Sequence, residues 1–213
     1  MKLEKERELI VAYGKKLIDS DLTTGTGGNL SILNKDQNLV AISPSGIGYY
    51  QVEKEDVVII DLAGNIVEGE NKPSSELAMH LAVYNNRDDI FSVVHTHSIY
   101  ATSIACLNID LPAVHYMIAV AGDKVPCAEY ASFGTEELAQ NAVKSLGEKY
   151  KAVLLANHGL LSCGRDIRGA FNVAEEVEYV AEVYFRTKAA GEPVIIPPAE
   201  MKRMEKAFET YGQ

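Results

Sequence analysis

Phe91-Ser92-Val93-Val94-His95-Thr96-His97-Ser98 is the stretch around which the rest of the chain is organised. An apolar, β-branched run leads directly into two histidines one residue apart. Side chains alternate along a strand, so His95 and His97 share a face, roughly 6.5 Å apart along the backbone. Two imidazoles at that spacing can converge on one ion at about 2.0–2.1 Å each. A buried strand with two incidental histidines satisfies the same pattern, so the decision falls to residues elsewhere. His80, His115 and His158 are the other histidines of the chain.

Outward from this strand the pattern alternates between short apolar runs and helical periodicity. Leu9, Ile10, Tyr13 and Leu17 predict an opening amphipathic helix over residues 2–20. Strands are predicted at 30–33, 39–42, 57–61, 66–67 and 152–156, separated by short polar connectors. Pro73-Ser74-Ser75-Glu76 opens a second helix, with Ser75 as its N-cap and Glu76 in its first turn. Leu77, Leu81 and Tyr84 mark one face of that helix, Glu76 and His80 another. Further helices are predicted from Ser98 to about Cys106, from Thr135 to Gly147, over roughly 166–190 and over 200–209. Leu111 to Val120 is an apolar segment with His115-Tyr116 inside it. Neighbouring strands with short connectors imply a mixed α/β class, layered in the α+β manner: a central, mostly antiparallel sheet between helical layers. No repeat or linker-like composition interrupts it, so one domain spans 1–213.

Composition narrows the function. The net charge of −10 gives nucleic acid or an anionic membrane surface no electrostatic support. No apolar run approaches the ~18 residues of a membrane span, and the charged start Met1-Lys2-Leu3-Glu4-Lys5-Glu6 is unlike a signal peptide. Cys106, Cys127 and Cys163 are odd in number and widely spaced, as free thiols in a reducing compartment would be. The expectation is a cytoplasmic protein with a small-molecule partner. An anionic partner would have to be held locally, by a metal or by backbone N–H groups.

A catalytic metal site usually takes three protein ligands and leaves one position open. His95 and His97 supply two. His158 is the expected third, at the end of strand 152–156 and followed by Gly159. Glu76 is the candidate fourth group. His80, four residues on, shares its face but sits between Met79 and Leu81, and is left as a core or supporting residue. Three imidazoles and a carboxylate suit zinc better than magnesium or calcium, while cobalt, manganese and iron remain compatible by ligand type. Three small-residue stretches add anion donors: Gly25-Thr26-Gly27-Gly28-Asn29, Ser43-Pro44-Ser45-Gly46 and Pro73-Ser74-Ser75-Glu76. The first is neither a dinucleotide-binding fingerprint nor a P-loop. The third abuts Glu76 at a helix N-terminus, where a phosphate would lie beside the metal.

In this order the motifs resemble the class II aldolase/adducin family. The resemblance is carried by Gly25-Thr26-Gly27-Gly28-Asn29-Leu30-Ser31, Ser43-Pro44-Ser45-Gly46-Ile47, Pro73-Ser74-Ser75-Glu76 and Val93-Val94-His95-Thr96-His97. It continues through Pro112-Ala113-Val114-His115-Tyr116-Met117-Ile118-Ala119, Tyr130-Ala131-Ser132-Phe133-Gly134-Thr135, Asn157-His158-Gly159-Leu160 and Thr210-Tyr211-Gly212. It implies a homotetramer with active sites between subunits, one zinc per subunit on His95, His97 and His158, and Glu76 as a displaceable fourth ligand. Phosphate would sit on Gly28, Asn29, Ser45, Gly46, Ser74 and Ser75. Glu76, Tyr116 (reaching a neighbouring subunit's site) and Tyr211 (closing over it) would be the catalytic groups. The implied reaction is retro-aldol cleavage of a ketose 1-phosphate, with L-fuculose 1-phosphate as the expected substrate and dihydroxyacetone phosphate and L-lactaldehyde as products. Epimerases of the family, acting on L-ribulose 5-phosphate, carry an acidic residue shortly after the position of His115-Tyr116; here Ile118-Ala119-Val120 is apolar. A sugar-phosphate dehydratase is a second alternative. Non-catalytic adducin-like binding proteins lack the full metal set that this chain keeps.

Overall fold

The computed structural model describes residues 1–208. After helix α1 (Glu4–Asp19) come strands β1 (Asn29–Asn34), β2 (Leu39–Ile42), β3 (Val58–Asp61) and β4 (Ile66–Glu68), then α2 (Leu77–Asn86), β5 (Ser92–Thr96) and α3 (Ile99–Ala105). Short strands β6 (Leu111–Pro112), β7 (Lys124–Val125) and β8 (Cys127–Ala128) follow, with a 3₁₀ helix at Tyr116–Val120 between the first two. The chain continues through α4 (Glu136–Leu146), β9 (Ala152–Leu155), β10 (Gly159–Gly164), α5 (Ile167–Ala190) and α6 (Pro198–Phe208).

Eight strands form one sheet in the order β4-β3-β2-β1-β5-β10-β9-β8, and every neighbouring pair is antiparallel except β8–β9. The predicted mixed, mostly antiparallel architecture is therefore the observed one. Alternation along the strands splits the core between the two faces of the sheet. Leu30, Ile32, Val94, Leu154 and Leu160 pack with α1, α3 and α5 on one face. Val93, Val153, Leu155 and Leu161 pack with α2 and α4 on the other. Each such Val or Leu, fully buried, contributes about 1.5–3 kcal/mol by transfer from water. His95 has the parity of Val93, so it points to the α2 side.

The differences from expectation have local causes. β10, paired with β5, has no strand signature in the sequence: Gly159-Leu160-Leu161-Ser162-Cys163-Gly164 is short and bounded by glycines. It forms because Ala156-Asn157-His158 makes a three-residue hairpin loop with Asn157 in the left-handed region (φ 55°). Thr135 caps α4 as predicted, accepting from Leu138 N at 3.2 Å. Ser75 does not cap α2. Glu76 holds the N-cap position instead and not the first turn, its N–H donating to Ser74 Oγ at 3.2 Å. The apolar 111–120 segment divides into β6 and the 3₁₀ helix. His97 lies just past the end of β5. Backbone N–H groups of Tyr100 and Ala101 donate to the Glu178 carboxylate at 2.8 Å each, which ties the segment after His97 to α5. Among the described residues no helix is long and apolar enough to cross a membrane.

Candidate active site

The structure brings Glu76, His95, His97 and His158 together from three places: the start of α2, the end of β5 and the β9–β10 hairpin loop. Their ligand atoms all lie within 4.8 Å of one another. His95 Nε2 stands 2.9 Å from His97 Nε2 and 3.1 Å from Glu76 Oε2, and His158 Nε2 is 3.4 Å from Glu76 Oε1. Ligands about 2.05 Å from a tetrahedral ion are spaced about 3.3 Å apart. The observed spacings bracket that value.

Two further observations test the fit. His95 Nδ1 lies 2.9 Å from Leu160 O. A carbonyl can only accept, so Nδ1 carries the proton and the Nε2 lone pair faces the group, as a ligand requires. Glu76 Oε1 is buried and has no hydrogen-bond partner, which leaves an unmet acceptor beside three imidazoles. These residues fit a divalent cation. Close backbone packing holds the histidines in place. A Cβ at Gly159 would come 2.3 Å from Thr96 O, and one at Gly28 (φ +68°) 2.6 Å from His95 O.

Burial works against ionisation of Glu76, but the adjacent His95 imidazole, then His158 and Asn29, outweigh it and hold the carboxyl well below the usual range. Burial pushes His80 down to about 3, and His97 and His158 down to about 4, with His95 adding to each. All three rings are neutral at pH 7, as ligation and hydrogen-bond acceptance demand. An unfolded histidine titrates near 6.5. Below that pH the unfolded chain takes up protons that the folded chain refuses, so stability falls as pH falls, and for His80 the loss runs from pH 6.5 to about 3. In urea unfolding of chelator-treated protein, wild type is expected to lose roughly 3 kcal/mol more than His80→Gln between pH 6.5 and 4. Equal losses would mean that His80 titrates freely.

The three glycine- and serine-rich loops converge because main-chain hydrogen bonds join them. Ser43 N donates to Leu30 O (3.0 Å), Ser45 N to Lys72 O (2.9 Å) and Ser74 N to Ser43 O (3.1 Å). Gly28, Asn29, Ser45, Gly46, Ser74 and Ser75 therefore line one cleft of about 380 Å³, together with Glu76, His97 and His158. The N–H groups of Ser45 and Ser74 are already used, so these two residues offer their hydroxyls.

Tyr116 does not line this cleft. It is half-exposed at the start of the 3₁₀ helix, its ring stacked 6.3 Å from that of Phe208. Tyr211 lies outside the described residues. Tyr130, Ala131 and Phe133 also line the cleft, a contribution that local sequence periodicity does not announce. Tyr130 and Phe133 are 62% and 71% exposed; two such aromatics beside Gly134 were the available signal.

An eight-stranded, mostly antiparallel sheet carries a three-histidine, one-glutamate group that could hold a divalent cation, beside a cleft lined by glycine and serine residues. Residues 8–185 match the family described as Class II Aldolase and Adducin N-terminal domain, so the chain belongs to that family. It is 57% identical over 213 residues, all of both chains, to 5-deoxy-D-ribulose 1-phosphate aldolase of Bacillus thuringiensis serovar kurstaki. It is 41% identical over 193 residues to L-fuculose phosphate aldolase of Escherichia coli, covering 90% of this chain and 88% of that one. A solved structure of an L-fuculose 1-phosphate aldolase matches with a TM-score of 0.94 at 51% identity, covering 96% of each chain. The protein is a class II aldolase, a carbon–carbon lyase.

Proposed function

We propose that the protein reversibly cleaves a terminal-deoxy ketose 1-phosphate to dihydroxyacetone phosphate and a short aldehyde. The observation that carries this reading is the position of Glu76. Its carboxylate stands among the three histidines and lines the cleft, with one buried oxygen lacking any donor. His95, His97 and His158 would hold zinc, with Glu76 as the fourth group. When bound, the cation supplies Lewis-acid polarisation of the substrate carbonyl.

Gly28, Asn29, Ser45, Gly46, Ser74 and Ser75 bind the phosphate. The bond between the third and fourth carbons breaks, and its electron pair stays on the third. Glu76, a carboxylate at rest, takes up a proton from solvent and delivers it to that carbon, giving dihydroxyacetone phosphate and the carboxylate again. The hydroxyl on the fourth carbon loses its proton as the aldehyde forms, and Tyr116 of an adjacent copy, with Tyr211, relays that proton to solvent. This role fits Tyr116 standing half-exposed outside its own cleft. In this reading the enzyme works as a homotetramer in the cytoplasm.

The aromatic wall of Tyr130 and Phe133 suits a methyl-terminated aldehyde. The relative named for 5-deoxy-D-ribulose 1-phosphate, at 57% identity, moves that compound ahead of L-fuculose 1-phosphate as first choice. The two share the phosphate half and a methyl end. A panel of these two, L-rhamnulose 1-phosphate and L-ribulose 5-phosphate, read by coupled detection of dihydroxyacetone phosphate, tests the reading. Fastest cleavage of the 5-deoxy compound, abolished by chelator, is expected. Chelator-insensitive cleavage, or epimerised pentulose without cleavage, would overturn it.

A further inference from the structure

Behind Glu76 runs a chain of buried polar groups that stands outside the three-histidine, one-glutamate group. Asn29 Nδ2 donates to Glu76 Oε2 at 2.9 Å. Asn29 Oδ1 meets His80 Nε2, His80 Nδ1 meets Ser31 Oγ at 2.6 Å, and Ser31 Oγ meets the Tyr84 hydroxyl at 2.6 Å. Asn29, Ser31, His80 and Tyr84 are all buried, His80 and Ser31 completely. Asn29 and Ser31 stand two apart on one face of β1. His80 and Tyr84 stand four apart on the facing stripe of α2.

The carboxylate at the end of the chain sets the direction of every link. Glu76 can only accept, so Asn29 turns its NH₂ toward it and its carbonyl oxygen toward His80. His80 must then donate from Nε2, which leaves Nδ1 to accept from Ser31, whose oxygen accepts from Tyr84. Flipping the Asn29 amide would set its oxygen against the carboxylate and its NH₂ against the His80 N–H. Both are like-with-like contacts in a buried site, where neither group can turn to water instead.

The two oxygens of Glu76 are therefore unequal: Oε2 is held, while Oε1 has no donor. We propose that His80 is a positioning residue. By locking the Asn29 amide it clamps Glu76 Oε2 and reserves Oε1 for proton transfer. This proposal rests on the reading of Glu76 as the acid/base.

The test has two arms. In histidine-labelled protein, a two-bond proton–nitrogen correlation reports each ring's tautomer, and the His80 signal is the one missing from His80→Gln. A neutral ring protonated at Nε2 is expected at pH 7; a ring protonated at Nδ1, or an imidazolium, would overturn the clamp. In the zinc-loaded enzyme, His80→Leu is expected to lower kcat about 10–100-fold with KM and zinc content unchanged. His80→Gln keeps a donor toward Asn29 and is expected to recover to within about threefold of wild type. A folded His80→Leu with wild-type kcat, or equal losses in both variants, would also overturn it. Should His80→Leu not fold, the tautomer decides alone. Normal turnover in Glu76→Gln would remove the acid/base reading, whereas a wrong tautomer removes only the clamp.

Discussion

Glu76→Gln is expected to lower cleavage by roughly 10²–10⁴-fold, the range a positioned general acid or base supplies, while metal content stays near that of wild type. The three imidazoles keep their positions, and a glutamine oxygen can still accept from Asn29 Nδ2, which donates to Glu76 Oε2 at 2.9 Å. What is lost is the proton carrier. The neutral amide cannot give a proton to the third carbon or take one back. Exchange of solvent deuterium into dihydroxyacetone phosphate, measured without aldehyde, isolates that step from bond cleavage and should vanish with it. Folding should survive, because the substitution removes a buried charge and retains the side chain's shape. Turnover within about threefold of wild type, with the metal bound, would take Glu76 out of its role.

Much of this arrangement was legible in the sequence, because it follows from short-range periodicity. The alternation that aims His95 and Val93 to one side of β5 is a property of any strand. The hydroxyl and glycine stretches before β1, after β2 and before α2 announced permissive backbone. Their convergence was not legible: it depends on hydrogen bonds between Ser43, Leu30, Ser45, Lys72 and Ser74, all of them contacts across loops. The same holds for β10, which reads as a loop until its pairing with β5 and β9 is known. Helical spacing puts Tyr84 on the Leu77 and Leu81 face, yet its hydroxyl joins the chain that ends at Glu76. Glu76, His80 and Tyr84 recur at four-residue spacing, and that polar stripe was present to be read. Only the opposing pair Asn29 and Ser31 gives the stripe a partner, and pairing between distant elements is not encoded in either one alone.

The largest loss is expected on removing His95. It is wholly buried, held by Leu160 O at 2.9 Å and backed by the close approach of Gly28 to its own carbonyl, so no neighbouring donor can move in to replace it. A supporting residue behind a ligand costs about 10–100-fold in metal affinity or activity, and a ligand as rigidly placed as His95 should cost more. His95→Ala, alone or paired with His97→Ala, is expected to leave dialysed protein with almost no zinc and no measurable cleavage. Thermal unfolding with added zinc gives an independent reading. A ligand at 100 times its Kd stabilises the folded state by about 2.7 kcal/mol, so wild type should melt higher as zinc is added while the double variant stays flat. His97 is exposed where His95 is buried, and His97→Ala alone should fall between the two. Zinc content and melting in the double variant equal to wild type would mean that the cation binds elsewhere. The cluster of Glu76, His95, His97 and His158 would then lose its claim to be the catalytic centre.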